Sequence, residues 1–516
     1  MQQRTSVGGL ALLSARVVVP LLAVVALLLY LPGIFGWAVT DDIHQLKGAL
    51  VERWPLRTFF RPLERGVNVL NVRWFGLENL SFAHAFGLAG FVSVAVLTYA
   101  LGRRLARGPL SAALAAGLVA VSPLAVASVV QIDTLSQQFV TVFVLLFLHT
   151  LLAAKARASG PLYGLAYAFA LLALLSKESA PGLVAAVPLA AFLLRPPARA
   201  GRRTLRGLFG DLLSVALVAA LYVALRTTFG VGFGGDVEDG QYALELTPAR
   251  LLHNLGLYGG SLLYTGGSTL DLFPVLRPGR VALGGLLTAA LLVPSLVGAA
   301  RLVRSGTLRW PLLGLALLTL AGTFPVVLTE QVSELYTYGS LPFYALLLGL
   351  TFPAGVTLLA ERLRARWLRP AAAGFVALLL VWSAWGVAEK VRLVDDLGAR
   401  SLGYFEQTQA FLERAPGPLR LCWRDAPGRG TPAYSTFVMR PELVAGRAMG
   451  FAAWLEGRPL YLAAPDGPFD NVGVAAGDWL PPPVPLAALP PATLAHGAGC
   501  THSVTLGGDG LRFAQR

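Results

Sequence analysis

The sequence is short of most of what a soluble enzyme draws on. Its 516 residues include two cysteines, three methionines and six histidines, and only 14% are charged. Lysine and asparagine are scarce too, and acids are outnumbered: 28 Asp and Glu stand against 42 Lys and Arg. There is no P-loop, no Gly-x-Ser-x-Gly nucleophile elbow, no His-Glu-x-x-His pair and no glycine-rich dinucleotide loop. The chemistries that depend on those motifs therefore have no seat here. No repeat of fixed period is present, which excludes a solenoid.

What the chain has in abundance is apolar residues. It is 55% hydrophobic, with a mean hydropathy of +0.63. Several runs reach the roughly 20 residues needed to cross a bilayer. The reading is an all-α polytopic membrane protein with about 11 transmembrane helices, near residues 17–36, 82–101, 110–130, 137–154, 161–175, 180–194, 211–229, 281–300, 311–329, 338–359 and 371–388. The first run is too long for a signal peptide and lacks a small-residue cleavage site. The stretch Leu251–Leu270 carries His253, Asn254 and five glycines, and reads as interfacial or re-entrant.

The net charge of +14 is a topology signal, and it implies no nucleic-acid partner. With the N-terminus in the cytoplasm, the clusters Arg103/Arg104/Arg107, Lys155/Arg157, Arg195–Arg206, Arg301–Arg309 and Arg362–Arg369 all fall on the cytoplasmic side, opposed only by Glu361. The mixed-charge loops fall outside, as the positive-inside rule requires. Counting Leu251–Leu270 as a span would place the later arginine clusters outside.

Residues 1–388 then form the membrane domain, with an extracytoplasmic loop at 37–81. Residues 389–516 form a small extracytoplasmic α+β domain, long enough for one core. Strand-like runs lie at Leu419–Trp423, Ser435–Met439, Pro459–Ala463 and His502–Leu506, and Pro481–Pro491 reads as an extended strap. Both cysteines, Cys422 and Cys500, are in this tail. In an oxidising compartment they read as a disulfide, the other reading being two buried thiols. His496 and His502 do not complete a zinc pattern with them.

Candidate chemistry gathers on the outer face in three stretches. The first loop opens on Asp41-Asp42, followed by His44, Lys47, Arg53, Arg57, Arg61 and Arg65. Thr40 and the two acids fit a solvated helix start; two carboxylates just beyond a span also fit a general base. The second stretch is Ser176-Lys177-Glu178, in the break between two short spans. A lysine at that depth needs a partner, either Glu178 or the phosphate of a lipid-linked substrate. The third is Thr329–Phe343, with Glu330, Glu334, Tyr336, Tyr338 and Ser340. Its tyrosines suit either an interfacial aromatic belt or a binding site.

In this order the stretches resemble the integral-membrane glycosyltransferases of the GT-C superfamily. The likeness is to the branch of the protein O-mannosyltransferases and the membrane part of the tetratricopeptide-containing mannosyltransferases. It rests on the acidic pair Asp41-Asp42, Phe60-Arg61-Pro62-Leu63, the segment Ser122-Pro123 to Asp133, Leu174-Leu175-Ser176-Lys177-Glu178, Arg250–Leu272 and Glu334-Leu335-Tyr336-Thr337-Tyr338, over about residues 15–360. The chain departs from the family pattern at Ser122, where a histidine is expected, at Leu335, where an arginine is expected, and in lacking tetratricopeptide repeats.

The resemblance implies a sugar donor on a polyprenyl phosphate, embedded in membrane lipid, and an acceptor hydroxyl on a protein, lipid or polysaccharide. It implies an inverting displacement with Asp41 or Asp42 as base. Lys177, Arg61 and Arg65 would hold the donor phosphate. His44, Glu178, Glu334, Tyr336 and Tyr338 would bind sugar or acceptor. A divalent metal could bridge carboxylate and phosphate, and whether one is used is left open. Composition of the high-GC bacterial kind places the chain in an inner (plasma) membrane. Two alternatives use the same loops without a base: a transporter or flippase of lipid-linked saccharide, and a catalytically inactive relative serving as an anchor. Charges collected at one face, with no two-fold repeat, favour the enzyme.

Overall fold

The structure, a computed structural model, describes residues 14–39, 41–51, 60–105, 108–194, 205–229, 247–272, 277–306, 308–324, 326–329, 333–415, 419–423, 441–456, 460–463, 502–507 and 510–515. Its helices are α1 (Ala15–Ile34), α2 (Asp41–Val51), α3 (Pro62–Phe75), α4 (Ser81–Leu105), α5 (Pro109–Ala120), α6 (Val126–Val130), α7 (Leu135–Arg157), α8 (Gly160–Leu174), α9 (Ala180–Leu194), α10 (Leu205–Thr228), α11 (Pro248–Leu263), α12 (Pro278–Arg304), α13 (Arg309–Ala321), α14 (Leu341–Arg362), α15 (Leu368–Arg414) and α16 (Pro441–Leu455).

Each of the eleven apolar runs carries helix. Among the described residues, seven helices are long and apolar enough to cross a membrane, or eight if α5 and the Pro123–Val130 segment, bent by 47°, count as one span. The other three runs fold as α8, α9 and α13, of 15, 15 and 13 residues. At 1.5 Å per residue these are about 20–22 Å long, short of a hydrocarbon core of about 30 Å. The chain is thus a multi-span membrane protein with several short apolar helices. The bend between α5 and α6 falls at Ser122-Pro123, where proline withholds a backbone donor.

The expected boundary at residue 389 falls inside a helix. Helix α15 runs unbroken for 47 residues, about 70 Å. Beyond the membrane run its buried residues Lys390, Val391, Val394, Gly398, Ser401, Tyr404, Phe405, Thr408 and Leu412 recur every three to four positions. That is one helical face kept against a partner. The partner includes the opening loop: a Cβ on Gly398 would stand 2.8 Å from the Trp37 carbonyl oxygen, and the Trp37 and Phe405 rings are 5.3 Å apart.

The tail holds a four-stranded sheet, β1 (Leu419–Trp423), β2 (Leu460–Ala463), β3 (His502–Gly507) and β4 (Gly510–Gln515), in the order β2-β1-β3-β4. β1 is parallel to both β2 and β3, and β3 and β4 form an antiparallel hairpin. Helix α16 is the crossover that a parallel β1–β2 pair requires. Strand β4 was not expected, although glycines at 507, 508 and 510 mark its turn. Ser435–Met439, Pro481–Pro491 and the pairing of Cys422 with Cys500 lie outside the described residues.

Two large apolar cores result, beside a small cluster of Tyr258, Val327 and Tyr336. One fills the helix bundle. The other joins Trp37, Ile43, Leu46 and Leu80 of the opening loop to Tyr404, Phe405, Leu412, Phe451, Val504 and Leu511. The loop is therefore a roof of two short helices, α2 and α3, fixed from above by the extended α15 and the tail. Helix α11 packs as an amphipathic surface helix. Its N-cap Thr247 accepts from the Arg250 N–H, and Asn254 donates to the carbonyls of Val327 and Thr329 at 3.0 and 2.9 Å.

Candidate active site

The site begins where the roof meets the bundle. Asp42 is fully buried. One carboxylate oxygen accepts the Val39 N–H at 3.1 Å and the other accepts the Asp133 N–H at 2.9 Å. Asp42 therefore staples the start of α2 to the turn before α7. Asp41 is the first residue of α2; its side chain and that of His44 lie outside the described residues.

Phe60-Arg61-Pro62 comes next. Pro62 opens α3, where a missing N–H costs nothing. Phe60 is buried against Tyr222 and Phe229 at the end of α10, with ring centroids 6.3 and 5.6 Å away. This anchors Arg61, whose Nε donates to a Glu178 carboxylate oxygen at 3.0 Å. On its other side Arg61 faces Glu64, 3.9 Å away, and Glu64 accepts the Ser136 N–H at 3.0 Å at the start of α7. Burial raises the Glu64 pKa, against the pull of Arg61. Burial acts on Glu178 in the same sense but is outweighed, chiefly by Arg61, so Glu178 is held below the usual range.

Lys177 sits in the turn between α8 and α9. It is 5% exposed, and its ammonium lies 5.5 Å from the centre of the Tyr336 ring, within cation–π range. It makes no hydrogen bond or ion pair among the described residues. Burial first, and then the Arg61 charge, lower its pKa to about 8, with Glu64, Glu178 and Asp133 opposing.

Two other candidates, Tyr338 and Glu334, are committed to protein contacts. Tyr338 is fully buried and donates to the Gln138 side chain at 2.7 Å. Glu334 accepts from Lys390 at 2.6 Å. With Tyr336 8% exposed and Tyr338 at 0%, these tyrosines are not a lipid-facing belt. Arg65 is 6% exposed and turns towards α2, where a Cβ on Gly48 would lie on its guanidinium. Burial pushes its pKa down to about 10, with Glu64 opposing.

The fold thus brings three stretches far apart in sequence to one place: Arg61 and Glu64, Lys177 and Glu178, and Tyr336. It turns Glu334 and Tyr338 to other contacts, and Arg65 towards α2, where its guanidinium has no hydrogen-bond partner among the described residues. Sequence reading missed Glu64, which lies within the Phe-Arg-Pro-Leu-Glu run, and Tyr222, which contacts Phe60. It also missed Lys390, whose signal is a lysine on the helical face that continues α15. Among the described residues no group of three or more His, Cys, Asp or Glu side chains could hold a metal ion.

No protein-family model matches the sequence, and no curated protein matches it. Solved structures do match. ArnT from Cupriavidus metallidurans in the apo state aligns over 90% of this chain and 89% of its own, at 15% identity and a TM-score of 0.52. The same protein bound to undecaprenyl phosphate aligns over 89% and 88%, at 16% and 0.49. The archaeal oligosaccharyltransferase AglB from Archaeoglobus fulgidus, in complex with an inhibitory peptide and a dolichol-phosphate, aligns over 84% of this chain and 63% of its own, at 13% and 0.46. At these identities the likeness concerns the fold alone: by the apo ArnT match the chain shares the polytopic helical fold of that protein.

Proposed function

We propose that the chain transfers a sugar from a polyprenyl-phosphate donor to an acceptor hydroxyl at the outer face of a bacterial inner membrane. The observation that carries this reading is Lys177. It is a buried ammonium with an aromatic ring beside it and no carboxylate bonded to it among the described residues, one residue from the Arg61–Glu178 pair. A cation held in this way suits a leaving phosphate better than a structural ion pair does, because charge developing in the transition state meets a preorganised donor.

The displacement proceeds in one step. The acceptor oxygen bonds to the anomeric carbon as the bond from that carbon to the phosphate oxygen breaks, which inverts the centre. The acceptor proton passes to a carboxylate, and the electron pair leaves on the phosphate beside Lys177 and Arg61. Of the acidic pair, Asp41 is the better base. Both oxygens of Asp42 already accept backbone hydrogen bonds, so its task is to hold α2 in place. Glu178, Tyr336 and His44 face the sugar or acceptor, and Glu334 and Tyr338 hold the 334–338 segment.

The test is sugar release by purified protein from a panel of radiolabelled polyprenyl-phosphate sugars. Lys177→Ala and Asp41→Asn should each lose about 10²-fold or more in rate. A wild type that binds these lipids but never cleaves the sugar–phosphate bond, with mixed cell-envelope acceptors present, would favour a transporter of lipid-linked saccharide.

A further inference from the structure

Lys390 lies on α15 at the membrane exit, outside all three stretches that carry the chemistry. Its side chain is fully buried. Its ammonium donates to Glu334, to the Pro123 carbonyl at 3.0 Å and to the Thr269 hydroxyl. Those bonds use the three donors that a lysine has. Each acceptor lies on a different short 3₁₀ turn: Pro123–Ala125, Thr269–Asp271 and Glu334–Thr337. The neighbouring Glu389 faces away and is bonded to Arg277 and Arg280 at the start of α12, at 2.5 and 2.6 Å. Helix α15 is thus clamped on two sides at one level.

The third turn matters most, because Tyr336 is two residues from Glu334. A single 3₁₀ turn has few ways to move when its first side chain is fixed, and Ser333 caps it by accepting the Leu335 N–H. We infer that Lys390 is a positioning residue for sugar transfer: through Glu334 it sets the turn that holds the Tyr336 ring against Lys177. This rests on the transfer reading above. Lys390 is too deep to touch substrate itself. An ion pair is a demanding way to fill an interior, since replacing both partners by apolar residues of similar volume is often neutral or stabilising. A pair that serves only packing is therefore dispensable as a pair, whereas one that aims Tyr336 is not.

The test is the double variant Lys390→Met/Glu334→Leu, with Lys155→Met/Asp211→Leu as the control. Lys155 and Asp211 form another buried ion pair, between α7 and α10, at the opposite end of α7 from Ser136, which bonds Glu64. Thermal unfolding in detergent and kcat/KM for sugar release are measured on each. The Lys390 double variant should unfold close to wild type yet lose about tenfold or more in kcat/KM. The basic limb of its pH profile should move to lower pH, because Lys177 no longer has the ring that favours its charged form. The control should keep kcat/KM within about twofold. If the Lys390 double variant does not fold, Lys390→Met/Glu334→Gln, which keeps the size of the Glu334 side chain and leaves no buried charge unpaired, replaces it and should show the same loss in kcat/KM. A folded variant with wild-type kcat/KM and pH profile overturns the inference while transfer stands. A wild type that releases no sugar from any donor overturns the transfer reading first, and this inference with it.

Discussion

Two buried lysines in this protein invite comparison. Lys390 is fully buried and saturated with acceptors. Lys177, 5% exposed, has a tyrosine ring and no hydrogen-bonded acceptor among the described residues. Both pay for desolvation, and only one is repaid within the fold. Burial of a cation therefore does not by itself separate a lysine with a structural task from one with donors to spare. Lys155, paired with Asp211, belongs with Lys390 in this respect.

The contrast can be broken by substitution, and the two lysines should fail in opposite ways. The largest effect is expected on catalysis at Lys177. Lys177→Met should reduce sugar release by about 10²–10³-fold while leaving the melting temperature unchanged or higher, as read by a transfer assay and by unfolding in detergent. Lys390→Met alone should show the reverse order of severity. It strands Glu334 as a buried, uncompensated charge and should cost about 3–5 kcal/mol of stability, seen as lost yield and an early melt.

The acidic pair should divide in the same manner, with smaller numbers. Asp42→Asn turns an acceptor into a donor facing a backbone N–H and should cost about 1–3 kcal/mol in stability. Asp41→Asn should leave stability nearly unchanged and abolish most transfer. The smallest effect is expected at the ring. Tyr336→Leu removes a cation–π contact worth about 0.5–2 kcal/mol, so kcat should fall by roughly 2–30-fold.

The pH dependence sharpens the comparison. The Lys177 pKa is lowered to about 8 by burial and Arg61, so the charged form that stabilises the phosphate dominates below that pH and is lost above it. Transfer should therefore fall as pH rises through about 8, and Tyr336→Leu should move that limb to lower pH. A basic limb in the range of an ordinary exposed lysine, at about 10.4, would mean that Lys177 is not the titrating group.

Much of the fold was legible because membrane spans announce themselves by length and hydropathy. Every expected apolar run carries helix. What could not be read was the continuation of α15 through residue 389. Its face there is built of Lys390, Gly398, Ser401 and Thr408, residues whose burial depends on partners far along the chain. The site was legible in part. Arg61, Lys177, Glu178 and Tyr336 were singled out by odd chemistry at membrane exits, and they do meet. Glu334 and Tyr338 looked equivalent to Tyr336 on composition, but the tight turn sends their side chains to Lys390 and Gln138 instead. Asp41 and Asp42 could not be told apart until the Asp133 N–H was found on Asp42, a contact across 91 positions.

The measurement that bears most directly on the central claim is sugar release from a polyprenyl-phosphate donor by wild type and Lys177→Met, side by side in one detergent. The expected result is release by wild type and a loss of about 10²-fold or more in the variant at an unchanged melting temperature. Equal release by the two proteins, or lipid binding by wild type with the sugar–phosphate bond left intact, would contradict it.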